Sequence, residues 1–106
     1  MTTFDARENA FEAEFVHQQD VKFRVREQAV KLLALWAAGL LDKGAQASEA
    51  YAQDLVAADV VDPQSGAALA RVMTDLRAKG ISEQQVRQAS DRFFAEADNT
   101  IRGVKS

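Results

Sequence analysis

At 106 residues, 47% of them apolar and 27% charged, the chain makes one domain with a core, too small for a catalytic domain beside a cofactor domain. The absence of cysteine excludes a disulfide framework, and a single histidine leaves only carboxylates to complete a zinc site, an uncommon set for structural zinc. A net charge of −3, with basic residues interleaved among acidic ones, speaks against a phosphate-backbone partner, so no nucleic acid is expected.

The first twenty residues carry Asp5, Glu8, Glu12, Glu14 and Asp20 against Arg7 alone, with His17 among them. They lack the basic start and apolar run of a signal peptide, which predicts a cytoplasmic protein. Phe4, Phe11 and Phe15 fall within roughly 40° of one another on a helix and make a narrow aromatic stripe. Two readings are open: the stripe docks on the domain's own core, or it is presented to another protein. Three rings over twelve residues anchor a helix in a groove but make little of a core layer, which tilts the balance to a partner. His17, beside Glu14 and Asp20, is a candidate for a charge change between about pH 6 and 7 that tunes such docking.

From Val21 the charge reverses, with Lys22, Arg24, Arg26 and Lys31 against Glu27, so an acidic arm passes into a basic neck. The simplest account of the neck is a solvated helix face. The densest apolar block follows, Lys31-Leu32-Leu33-Ala34-Leu35-Trp36-Ala37-Ala38-Gly39-Leu40-Leu41, and its helical phase predicts a broad buried face of Leu32, Leu33, Trp36, Ala37, Leu40 and Leu41. Trp36 is expected at the hub of a bundle, with Gly39 permitting a close helix crossing. The block is too short to span a bilayer, so no direct membrane insertion is expected.

Gly44 is the expected stop of this helix. The next is predicted over Ser48 to Val61, with Tyr51, Leu55 and Ala58 at helical spacing. Asp62-Pro63 then reads as a cap and first helical position, opening a helix that buries Leu69, Val72, Met73 and Leu76 and stops at Gly80. Ser82-Glu83-Gln84-Gln85 fits a capping box, with Ile81 placed to staple against Val86. That last helix buries Val86, Ala89, Phe93, Ala97 and Ile101 and ends at Arg102-Gly103. No segment alternates as a strand does, so the predicted class is all-α.

Catalysis has little to work with: the chain has no nucleophile elbow, no paired histidines and no glycine-rich loop after a strand. Asp59 and Asp62 flank a helix boundary and read as caps or solvated residues rather than an acid and a base. The expectation is a protein that is not an enzyme and holds no metal.

The arm and the apolar block together carry a resemblance. Phe4-Asp5-Ala6-Arg7-Glu8, then Ala10-Phe11-Glu12-Ala13, then Lys31-Leu32-Leu33-Ala34-Leu35-Trp36-Ala37-Ala38 closely resemble the zeta subunit family, inhibitor proteins of the rotary ATP synthase in α-proteobacteria. Ala6, Glu14 and Gly39 depart from the family's usual residues. The resemblance implies a four-helix bundle with a mobile, potentially helical N-terminal arm, divided as an inhibitory arm over residues 1–20 and a bundle over residues 21–106. It implies that the arm inserts at a catalytic αβ interface near the γ shaft and blocks ATP hydrolysis. The implied partners are the α, β and γ subunits of the catalytic head; the protein is expected to be a monomer when free, and cytoplasmic in association with the inner-membrane ATP synthase. Matched residue by residue, Phe4, Asp5, Arg7, Glu8, Phe11, Glu12 and Phe15 are the partner-binding positions. No cofactor is implied beyond weak adenine-nucleotide binding, for which the chain offers no phosphate loop. Beside this stand two readings from other classes: a general helical adaptor unrelated to ATP synthase, and a nucleotide-sensing module.

Overall fold

Four helices in sequence make up the computed structural model, which describes the backbone over residues 3–103 and side chains over residues 18–103. They are α1 (Thr3–Leu40), α2 (Ala45–Val61), α3 (Ala67–Arg77) and α4 (Glu83–Arg102), with a short 3-10 turn at Pro63–Ser65 between α2 and α3. Among the described residues there is no strand, as the absence of alternating runs predicts. The long α1 packs on α2, α3 and α4, while α3 bridges α2 and α4. A short connection turns α1 back into α2, and the pairing of Arg26 near the start of packed α1 with Asp59 near the end of α2 makes the two antiparallel. Among the described residues no helix is long and apolar enough to cross a membrane.

The core is built mainly from small and medium side chains. Its main cluster joins Val30, Leu33, Ala34, Ala37 and Ala38 of α1 to Tyr51, Ala52 and Leu55 of α2, Ala68, Val72 and Leu76 of α3, and Val86 and Ala89 of α4. Leu55, Leu76, Val72 and Val86 are its largest fully enclosed side chains. This corrects the expected face of α1: Leu33 and Ala37 are buried as predicted, but Leu32, Trp36 and Leu41 are half-buried and Leu40 is exposed. The deeply buried stripe is instead Val30, Leu33, Ala34, Ala37 and Ala38, whose short side chains let three helices close on α1. Trp36 lies at the margin, its ring edge-on to Phe93 with centroids 6.3 Å apart. Gly39 is exposed, and a Cβ built there meets nothing within 4 Å, so no close crossing depends on it.

The helix boundaries differ from the sequence reading in two places. Asp42, at φ 59°, ends α1: the Lys43 N–H donates to Ala38 O at 3.0 Å and the Asp42 N–H to Gly39 O at 3.2 Å, the paired bonds of a Schellman stop. Gly44 instead precedes α2 in an extended conformation, which leaves α2 free to start at Ala45, before Ser48. Asp62-Pro63 opens the 3-10 turn rather than α3, and Asp62 makes no side-chain cap bond. Gly66, at φ 68°, then resets the chain direction so that α3 begins at Ala67.

The other expected stops and starts are found. Gly80 sits at φ 80° where α3 has ended, with Ile81 N–H bonded to Leu76 O. Ser82 and Gln85 complete a reciprocal capping box: the Gln85 N–H donates to Ser82 Oγ at 3.2 Å and the Ser82 N–H to Gln85 Oε1 at 2.9 Å. Ile81 packs against the cluster that holds Val86, as a staple requires.

Candidate functional site

The partner-binding positions expected from the sequence, Phe4, Asp5, Arg7, Glu8, Phe11, Glu12 and Phe15, and the candidate switch His17, have side chains outside the described residues. What is described is the root on which they are carried. Gln18, Gln19 and Asp20 are exposed, and the first of the described α1 side chains to pack is Val21, half-buried. A small second cluster then holds α1 to α4: Val25, Ala29 and Ala97 are buried, with Val21, Phe94 and Ile101 against them.

The side of the root that faces the end of α2 is held by polar contacts. Arg26 donates from Nε to Asp59 Oδ2 at 2.8 Å and from Nη2 to the Pro63 carbonyl at 2.6 Å. The Asp59 side chain is only 7% exposed, whereas Arg26 keeps 37%. One guanidinium thereby joins α1 to the end of α2 and to the 3-10 turn beyond it. The basic neck is therefore not wholly a solvated face, and Asp59 is neither a cap nor a solvated residue. Two placements in the sequence carried that signal. Asp59 follows Tyr51 and Leu55 at successive four-residue steps, on the buried stripe of α2, and Arg26 precedes Val30 and Ala34 in the same way on α1. A carboxylate on an apolar stripe needs a cation facing it. Arg24 does behave as a solvated residue, pairing along the helix with Asp20 at 3.3 Å with both side chains more than half exposed.

At the far end of α2 a second polar group surrounds Tyr51. Its hydroxyl donates to Asp75 Oδ2 at 2.8 Å, and Lys43 and Arg71 each place their charge 5.3 Å from the ring centroid. Burial, then the bond to Asp75, pushes the Tyr51 hydroxyl well above its ordinary pKa, with Arg71 opposing the rise. Leu41, Lys43, Arg71, Thr74 and Ala78 line an open cleft of about 450 Å³ beside this group. A second groove of about 360 Å³ runs between α1 and α2, with Glu27, Lys31 and Glu49 at its polar rim and Ala52 and Val56 at its base. Among the described residues no group of three His, Cys, Asp or Glu side chains is placed to hold a metal ion.

The arrangement is that of a rigid bundle from which one long helix leads away, its root fixed on both sides. The model of the family described as ATPase inhibitor subunit zeta matches residues 1–100, which takes in the arm as well as the bundle. No curated protein and no solved structure matches the chain. A match across nearly the whole length decides the matter: the chain belongs to the ATPase inhibitor subunit zeta family, a family of regulatory proteins named for ATPase inhibition.

Proposed function

We propose that this protein inhibits the rotary ATP synthase by inserting its N-terminal arm at a catalytic αβ interface near the γ shaft, blocking ATP hydrolysis from the cytoplasmic side. The observation that carries this reading is the reach of the family match, which begins at residue 1 and so includes the arm. The root of α1 supports it, because a helix leading out of a bundle gives an inserted segment a fixed base. Phe4, Phe11 and Phe15 are the apolar anchors, and Asp5, Arg7, Glu8 and Glu12 are the polar contacts with the α, β and γ subunits. No cofactor is needed.

Magnitudes set what the arm requires. Burying three phenylalanine rings contributes about 4 to 9 kcal/mol. Ordering a disordered segment costs roughly 1 to 2 kcal/mol per residue before new hydrogen bonds and contacts offset it. Anchoring a disordered arm by the rings alone is therefore insufficient, and tight inhibition requires either an arm with appreciable helicity beforehand or partners on several subunits for its acidic and basic side chains. Removing both inner anchors tests the assignment. Phe11→Ala with Phe15→Ala should abolish most of the inhibition of ATP hydrolysis by the purified catalytic head while leaving the thermal melt of the bundle unchanged. Full inhibition by the double variant would remove the anchors from the account.

A further inference from the structure

We propose that Arg26 is a positioning residue for inhibition: its forked contact with Asp59 and Pro63 sets the direction in which α1 leaves the bundle. The inference rests on the reading of α1 as the carrier of the inhibitory arm.

Apolar packing at the root is one-sided. Val25 and Ala29 meet Ala97 of α4, but among the described residues no side chain from the end of α2 joins this apolar cluster. Phe23 is 46% exposed, and Val60 and Val61, the last residues of α2, are 44% and 85% exposed. At this level the α2 side of α1 is tied by the guanidinium of Arg26, through one bond to a side chain of α2 and another to a backbone carbonyl of the following turn. Two bonds in the plane of a fork fix orientation as well as distance, which a lysine ammonium cannot reproduce. Such a pair is a poor device for stability, since desolvating Asp59 offsets much of its attraction to Arg26. As a device for fixing geometry it suits its place. Gln18 lies eight residues before Arg26, about 12 Å along the helix. A tilt of roughly 15° at Arg26 displaces Gln18 by about 3 Å, and displaces whatever lies beyond it further.

The test uses the full chain, in which the absence of native cysteine allows spin labels on cysteines introduced at the exposed Gln18 and Asp54. Pulsed electron-spin distance measurement should give one narrow distribution for the wild-type background. Arg26→Ala and Asp59→Asn should broaden it and shift it by about 3 Å, with Arg26→Lys between. The same substitutions, without labels, are titrated against ATP hydrolysis by the catalytic head. The concentration for half-inhibition should rise roughly tenfold for Arg26→Ala and Asp59→Asn and less for Arg26→Lys, with the same residual activity at saturation. Variants whose melt matches that of the wild type read this positioning role apart from loss of bundle structure. If Arg26→Ala melts the bundle, Asp59→Asn and Arg26→Lys still decide the matter. A distance distribution unchanged in the folded variants overturns the proposal, as does unchanged potency where the wild type inhibits. Failure of the wild type to inhibit would overturn the arm reading instead, and the distances would still decide whether Arg26 fixes the helix.

Discussion

Between Val30 and Ala38, α1 turns Val30, Leu33, Ala34, Ala37 and Ala38 into a core shared by all four helices; between Val21 and Ala29, the same helix rests on one apolar patch of α4 and one forked ion pair. The first region is enclosed by contacts that reinforce one another, so loss of any one is felt throughout. The second is held by a few contacts of different kinds, each of which fixes one direction. A helix can thus be anchored immovably at one end and merely aimed at the other. The difference suits an element whose far end is offered to a partner.

The largest effect that separates the two regions should come from Leu76→Ala, which empties a fully enclosed site in the main cluster and should cost about 2 to 5 kcal/mol. Trp36→Ala should cost less, about 1 to 3 kcal/mol, because the half-buried ring gives up less surface than the 3 to 5 kcal/mol typical of an enclosed aromatic. Val25→Ala, at the root, should cost about 1 to 2 kcal/mol. Denaturant midpoints at equal slope check the series, and a Trp36 loss equal to that of Leu76 would return the tryptophan to the centre of the core.

The group around Tyr51 gives a handle on the enclosed region that is sensitive to pH. Its hydroxyl is held protonated in the fold above the ordinary pKa of 10.0, so its contribution is complete below the unfolded pKa and is lost as pH rises beyond it. Tyr51 is the only tyrosine, so tyrosinate absorbance should be nearly absent from the folded protein somewhat above pH 10 and appear on unfolding. Ordinary titration near 10 in the folded state would show that the hydroxyl is neither buried nor bonded to Asp75 as described. The smallest expected effect is a gain. Asp42 holds the left-handed position that ends α1, so Asp42→Gly should stabilise the protein by about 0.5 to 1 kcal/mol. Its pairing with Lys79 at 3.8 Å is too exposed to offset that gain. A lower melting temperature for Asp42→Gly would contradict this.

The sequence announced α4 from end to end because its signals are local: Ser82 and Gln85 bond to each other's backbone, and Gly103 takes the left-handed conformation that a helix stop favours. The fold class followed for the same reason, from periodicity and punctuation. The buried face of α1 departs from the one its helical phase predicts because close helix packing favours short side chains. Where helices approach closely, the alanines at 34, 37 and 38 go inside, and the larger Trp36 and Leu40 are left at the edge and the end. The start of α3 differs from the sequence expectation because Asp62-Pro63 is equally good at opening a 3-10 turn, and the left-handed Gly66 marks where the next helix begins. Arg26 reads as part of a solvated face and Asp59 as a cap or solvated residue so long as each is compared only with its neighbours in sequence. Their meaning lies in facing each other across 33 positions of chain. The arm's aromatic spacing is legible, but under the proposed function the groove it would fit belongs to another protein, whose shape this chain does not encode.

The central claim is that the arm inhibits and the bundle carries it. Its most direct test is ATP hydrolysis by the purified catalytic head, titrated with the full chain and with a variant lacking Met1 to Gln19. The account predicts that the truncated protein keeps a folded bundle and a cooperative melt, because the described packing of α1 on the bundle runs from Val21 onward, while inhibition is lost. Equal inhibition by both proteins, or none by the full chain, would contradict it.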